Sequence, residues 1–283
     1  MSLHLGPVLA IGLLLLGGGC VQEPTVTAPV GNQPTTVGIT PPVKRSEVDI
    51  NAVVASLRTA FSREVPQHVV RTSQSDLGWI TRTKAALAAA AFQIDHAQLL
   101  VVVDRAPRAQ QLRIILAQPM SLPWYVIGGS KVSTGQAGRH GYFITPTGVF
   151  PHTTAILDYR ALGTFNQNHI RGLGLKDMRV WDFGWQTADQ GWRDDGAQSE
   201  IRLLLHATDP DYLEQRLGRS ASKGCVRIPA TMNRFLDLNG VLDADYEQAA
   251  KFDARFAAVL LPERHATSLA GDTLVVIDSS AHP

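Results

Sequence analysis

Two short stretches, LLLHAT at residues 203–208 and SASKGCVR at residues 220–227, decide how this sequence is interpreted. The first is an apolar strand that ends at His206, and the second is a polar loop that carries Cys225. A free cysteine, with a pKa near about 8.5, is only a few per cent thiolate at neutral pH, so it needs a neighbouring base. Gly224 permits a tight turn in which backbone N–H groups point at a developing oxyanion. The pattern favours nucleophilic thiol catalysis, and a buried inert cysteine is the alternative.

Side chains around the cysteine suggest further roles. Lys223 and Arg227 are cations that favour the thiolate, so Lys223→Ala is predicted to raise the pKa of Cys225. The planar fork of Arg227 suits a substrate carboxylate, although the same fork could brace the loop through a salt bridge. Tyr142 is a candidate for the wall of the cleft, and core packing is an equal alternative for it.

Three motifs in order resemble those of one enzyme family. His206, a gap, and then SKGCVR at residues 222–227 resemble the signature of the L,D-transpeptidase catalytic domain, also called the YkuD domain. VSTG at residues 132–135 and TPTGVF at residues 145–150 are similar to two further motifs of that family, in the expected order and spacing. The resemblance covers about half of the chain, and three ordered motifs are far more specific than one.

The resemblance implies a fold, a reaction and a set of site residues. The fold is a β-sandwich, mostly β with a few short helices. Cys225 is the nucleophile and His206 the general base of an acyl transfer through a thioester. The thiolate attacks a peptidoglycan stem peptide between the L-centre of a diamino acid and the following D-alanine, and the acyl group then passes to an acceptor amine. Ala207 orients the imidazole through its carbonyl, and Gly224 and Cys225 supply N–H groups to the oxyanion. Ser222 is expected to share this orienting role, and Lys223 is a further candidate for binding substrate.

One residue departs from the family pattern, because the family's second histidine is Lys223 here. Activity is expected to survive, since His206 matches the family's base. Two other functions stay open. Hydrolysis of the same thioester would make a cell-wall L,D-carboxypeptidase or amidase. Loss of the chemistry would leave a non-catalytic lipoprotein that binds the wall.

The N-terminus resembles an export signal. Residues 1–20 have the layout of a signal peptide, with an apolar stretch from Val8 to Leu16 that is too short to span a membrane. The segment ends at Cys20, which resembles the lipidated cysteine of a lipoprotein, and a plain cleaved signal is the alternative. Residues 21–45 are rich in Pro and Thr and predict a disordered linker. These features predict an exported, periplasmic protein that is anchored to a membrane through Cys20.

The remaining chain predicts an α+β protein that is mostly β. Residues 46–96 predict a small helical segment, and residues 97–283 predict the catalytic domain. Residues 153–200, rich in Gly and Trp, are interpreted as an insertion that forms a lid or substrate wall, or a small satellite core. The expected elements are two N-terminal helices, strands at 98–104, 112–116, 124–127 and 274–277, and later helices at 233–238 and 246–256.

Composition and residue spacing argue against several other classes of function. The formal net charge is +1 and the chain has no basic run, which argues against nucleic acid as a partner. No cofactor is expected. No metal site is expected either, because the histidines are too scattered for a recognisable ligand spacing; they are His140, His152, His169 and His206.

Overall fold

Two β-sheets form the centre of the computed structural model, which describes residues 49–119 and 121–281. The predicted signal peptide and linker, and with them Cys20, lie outside the described residues. Within those residues the strands are β1 (Gln98–Asp104), β2 (Gln111–Ala117), β3 (Tyr125–Lys131), β4 (Gly148–Pro151), β5 (Tyr159–Arg160), β6 (Arg179–Asp189), β7 (Gln198–Ala207), β8 (Val226–Ile228) and β9 (Thr273–Ile277).

The two sheets differ in size and mix strand directions. The first sheet has the order β3-β2-β1-β9-β4, and the second has the order β5-β6-β7-β8. Neighbouring strands are antiparallel except for two pairs, β1 with β9 and β7 with β8. The parallel pair β7–β8 matters most for the site, because the two motifs that carry His206 and Cys225 meet along it.

One hydrophobic core is shared by both sheets. Alternate residues of a strand point to opposite faces, so half of each strand can turn inward. Val101 of β1 and Ile114 of β2 meet Trp181 of β6 and Leu205 of β7 in this core, and all four are fully buried. The opposite face of the second sheet is therefore free to carry polar chemistry.

Helices cover the first sheet and close the core. The described helices are α1 (Ile50–Glu64), α2 (Ser73–Ala89), α3 (Ala230–Leu238), α4 (Ala244–Ala249), α5 (Ala254–Val259) and a 3₁₀ turn at Glu214–Arg216. Asp49 caps α1 by accepting hydrogen bonds from the N–H groups of the first turn. Leu57 and Phe61, four residues apart on one face of α1, pack into the shared core. Trp79 of α2 packs on the outer face of the first sheet instead.

The α+β class predicted from the sequence is confirmed, and so are the two N-terminal helices and the final strand. Both of those helices contribute side chains to the hydrophobic clusters of the sheets. Among the described residues, none of the helices combines the length and the apolar composition that crossing a membrane requires.

The interpretation of residues 153–200 as an insertion is wrong for much of its length. Residues 179–189 are β6, which pairs with β7 along most of its length. The ladder is interrupted between Asp182 and Trp185, where Gly184 takes a positive φ of 76°. This bulge breaks the alternation of apolar and polar residues, so the strand resembles a Gly- and Trp-rich loop in sequence.

A buried group of charges fixes β5 and β6 to the helices. Arg179 is fully buried and lies 2.8 Å from Asp158 and 3.0 Å from Asp243. Both nitrogens of His152 face acceptors, Leu242 O at 2.7 Å and Asp158 Oδ2 at 2.9 Å, so both must donate and the ring is an imidazolium. Burial opposes that charge, but the hydrogen bond to Asp158 raises the pKa of His152 above its usual value. The paired charges keep the edge of the second sheet in place.

Candidate active site

His206 and Cys225 lie on the same face of the second sheet. Leu205 of β7 and Val226 of β8 point into the shared core, so the residues next to them point the other way. The register pairs Leu205 with Val226 and His206 with Arg227. Extending it by one residue sets Cys225 opposite Leu204. We call this surface, with Arg202, Leu204, His206, Cys225 and Arg227, the Cys225 face.

The thiol is near the imidazole without being bonded to it. Cys225 lies one strand across from Leu204, and His206 lies two residues further along β7. This offset corresponds to about 8 Å between the Cα atoms of Cys225 and His206, a distance that a thiol and an imidazole can bridge. The Cys225 Sγ contacts Arg202 O at 3.7 Å, and no hydrogen bond joins it to His206 among the described residues. Catalytic hydrogen bonds are often long in unliganded sites and tighten with substrate.

The imidazole of His206 is held in one tautomer. Its Nδ1 is 2.7 Å from Ala207 O, the contact predicted from the sequence. A carbonyl oxygen only accepts, so Nδ1 carries the proton and Nε2 keeps its lone pair. Burial, together with the charge of Arg227, lowers the pKa of His206 to about 4, even though the hydrogen bond to Ala207 acts in the opposite direction. At neutral pH the ring is therefore a neutral base.

Arg227, rather than Lys223, is the cation that acts on the thiol. Burial raises the pKa of Cys225, while a backbone hydrogen bond from Leu204 and the charge of Arg227 lower it. Lys223 is exposed, and its ammonium lies 5.8 Å from the centre of the Tyr142 ring. Arg227 is the cation that lowers the pKa of this thiol, and the expectation that Lys223 also stabilises the thiolate stays a prediction. The resting pair is a thiol and a neutral imidazole.

The loop that carries Cys225 is braced by a serine. Ser222 Oγ accepts a hydrogen bond from Gly224 N at 3.1 Å and donates one to Cys225 O at 2.6 Å. Gly224 has a φ of 131°, which side chains other than glycine rarely adopt. Since the Gly224 N–H is already donated to Ser222, it would have to exchange partners to serve an oxyanion. Ser222 therefore holds the backbone of this loop in its turn.

A single hydroxyl joins the three motifs. Thr145 Oγ1 donates to Gly224 O at 2.6 Å and accepts from Gly135 N at 2.8 Å. Thr145, Gly135 and Gly224 are all buried, so water cannot replace these bonds. The motifs at 132–135, 145–150 and 222–227, far apart in the sequence, therefore meet at one side chain.

Arg227 and Tyr142 are placed where a substrate could reach them. Arg227 Nη1 makes one long hydrogen bond, 3.4 Å to Ala221 O, and its buried Nε has no partner among the described residues. Among the residues that the structure describes, no carboxylate pairs with Arg227. The alternative in which Arg227 braces the loop through a salt bridge is therefore not observed. Tyr142 is half-buried beside Lys223, and the neighbouring Phe143 N donates to Lys223 O at 3.3 Å.

Sequence reasoning missed the polar residues on the other flank of Cys225. Asp182 is 2% exposed and pairs with Arg202, whose carbonyl contacts the thiol. Tyr159 of β5 is on the same face, and burial together with the charges of Asp182 and Cys225 raises its pKa, with Arg202 opposing. Because the bulge breaks the alternation of β6, the sequence did not indicate that Asp182 lies on a strand. No sequence pattern reveals which residues face each other across strands.

Three potential metal ligands also converge in the molecule. His152, Asp158 and Asp243 each place one ligand atom within 4.8 Å of the others, although they are far apart in sequence. The Arg179 guanidinium lies between the two carboxylates and supplies the positive charge that a cation would bring. His152 is already donating from both nitrogens and has no lone pair to offer. The group is better described as an ion-pair cluster than as a metal site.

No family model matches the chain, and no curated protein matches its sequence. The chemistry of the site is therefore inferred from the residues that surround Cys225 and from the resemblance of the three motifs.

Replacing Thr145 with Val should destabilise the protein by about 3 kcal/mol, because it leaves the buried Gly135 N–H and Gly224 carbonyl without partners. Denaturant unfolding of the variant measures this loss. Thr147→Val is the matched control, since Thr147 is exposed in the same motif and should stay within about 0.5 kcal/mol of the wild type. Equal stabilities for the two variants would show that Thr145 does not hold the motifs together.

Replacing Arg227 with Gln should move the pH profile of Cys225 alkylation by iodoacetamide to higher pH, because a charge that lowers the pKa of the thiol is removed. Lys223→Gln should leave the profile unchanged. The rates are followed by intact mass between about pH 6 and about pH 10. A larger shift for Lys223→Gln than for Arg227→Gln would restore the original assignment of Lys223.

Proposed function

We propose that this protein is a cysteine-dependent L,D-transpeptidase that acts on peptidoglycan stem peptides. The observation that carries the proposal is the parallel register of β7 and β8, which sets Cys225 beside a histidine whose Nε2 lone pair is free. A nucleophile, a base and a group that orients the base form the arrangement that acyl transfer through a thiol requires. The order of the three motifs points to the same family.

The proposed reaction starts from a neutral Cys225 thiol and a neutral His206 imidazole. His206 Nε2 takes the proton from Cys225 Sγ as the sulfur bonds to the peptide carbonyl carbon. The carbon–nitrogen bond then breaks, His206 returns the proton to the leaving nitrogen, and D-alanine departs from the thioester. An acceptor amine attacks the thioester and gives a proton to His206, which passes it to the departing sulfur. A buried, neutral imidazole suits both transfers, because it can accept and return one proton at neutral pH.

Several finer features belong to this proposal. The two sheets with a shared core would be the β-sandwich of that family, formed by residues 97–283 and preceded by the helical segment at 46–96. The chain would be exported to the periplasm and anchored through a lipid on Cys20, with residues 21–45 as a tether. Arg227 is partly exposed and pairs with no carboxylate among the described residues, which supports binding of a substrate carboxylate, with Tyr142 and Lys223 on the wall beside it.

The full-length protein should convert a disaccharide-tetrapeptide into a dimer with loss of D-alanine. Cys225→Ala should abolish the product, and His206→Gln should lower the rate by about 10²–10⁴-fold, the usual contribution of a general base. His265→Gln, an exposed histidine away from the site, is the matched control and should keep full activity. Products are identified by mass spectrometry.

Other products of the same experiment would redirect the proposal. Tripeptide without dimer would keep the thiol mechanism but make the protein a carboxypeptidase. Dimer formed equally by Cys225→Ala would contradict the assigned nucleophile. Wall binding that survives in Cys225→Ala, without turnover by the wild type, would favour the non-catalytic lipoprotein.

A further inference from the structure

Arg202 lies beside Cys225 on the side opposite His206. Along one face of β7 the residues in order are Arg202, Leu204 and His206, and Cys225 stands opposite Leu204. The backbone carbonyl of Arg202 is the atom that the thiol contacts, at 3.7 Å. The nucleophile is thus flanked by the base in one direction along the strand and by an arginine in the other.

One edge of the Arg202 guanidinium is fixed and the other is open. Its Nε donates to Asp182 Oδ2 at 2.7 Å, and Asp182 Oδ1 accepts from Gly184 N at 2.9 Å, so the bulge holds the carboxylate in place. The side chain of Arg202 is 45% exposed, and neither of its Nη atoms has a hydrogen-bond partner among the described residues. An arginine that is held through Nε and has two free Nη groups can form a bidentate pair of hydrogen bonds with a carboxylate.

Aromatic rings flank this open edge. Trp185 is the cross-strand partner of Arg202, lies 6.0 Å from its guanidinium and is 62% exposed. Tyr159, on β5 at the far side of β6, is also exposed on this face. A ligand that combines an aliphatic chain with a terminal carboxylate would satisfy both the rings and the arginine.

The order of residues along β7 decides which part of a peptide reaches Arg202. His206 must return its proton to the leaving nitrogen, so the leaving residue lies on the His206 side of Cys225. The acyl group that becomes the thioester then extends to the opposite side, toward Arg202.

We infer that Arg202 binds a carboxylate at the end of the side chain of the acyl-donor residue, so that the site selects a diaminodicarboxylic residue over a plain diamino residue. This inference rests on the proposed function, and it adds the donor's side chain as the determinant of specificity. Asp182 acts through Arg202 as a positioning residue.

Arg202→Gln tests the inference, because glutamine can still donate to Asp182 but carries no charge. Two tetrapeptides are compared in the full-length chain, one with diaminopimelate and one with lysine in its place. The variant should lower kcat/KM for the diaminopimelate peptide by about 10–100-fold, the usual value of a charged hydrogen-bonded pair, and leave the lysine peptide within about twofold. Arg202→Lys should recover part of the loss. Arg234→Gln, an exposed arginine on α3, is the matched control and should change neither.

Equal losses on both peptides, or no loss on either, would overturn the inference. A loss that disappears when the C-terminal D-alanine is amidated would also overturn it, since Arg202 would then bind the leaving residue. If the wild type converts neither peptide, the proposed function fails, and the inference about Arg202 is then tested by measuring peptide binding. Calorimetry with Cys225→Ala should then show tighter binding of the diaminopimelate peptide, lost in the double variant with Arg202→Gln, and no preference between the peptides would end the inference.

Discussion

The site depends on the parallel register of two short strand segments. β8 has only three residues, yet its pairing with β7 determines that His206 faces Arg227 and that Cys225 follows opposite Leu204. Because side chains alternate between faces, a slip of one residue would turn Cys225 into the core and away from the base. Val226 and Ile228 prevent that slip, since both are fully buried in the shared core. Hydrophobic burial on one face thus fixes the chemistry on the other.

Two polar networks support this register from different sides. The Thr145 hydroxyl ties the loop of Cys225 to two other loops, so the nucleophile is positioned by residues about 80 positions away. The ion-pair cluster around Arg179 holds β5 and β6, which bring Tyr159 and Asp182 to the same face. Both networks are buried, where an unpaired polar group is costly, and this cost makes the arrangement specific. The Cys225 thiol itself is half-buried on this face.

Local sequence patterns predicted much of this structure, but they did not predict the residues on the side of Cys225 away from His206, which are Arg202, Asp182 and Tyr159. The helical pattern of residues 46–96 predicted α1 and α2, and the apolar run ending at His206 predicted β7. The motif resemblance singled out Cys225 and Ala207. β6 was missed because the bulge at Gly184 interrupts its alternation. Arg202 was missed because its importance comes from its cross-strand neighbours, which adjacency in the sequence does not reveal.

The central claim is that a neutral His206, protonated on Nδ1, presents its Nε2 lone pair to Cys225. Nuclear magnetic resonance of the histidine nitrogens, with His206 assigned through His206→Gln, measures this most directly. Between about pH 5 and about pH 8 the ring should stay neutral with the proton on Nδ1, and the Nε2 resonance should shift when Cys225 is replaced by Ala. A ring that titrates near about pH 6.5, or that carries its proton on Nε2, would contradict the account.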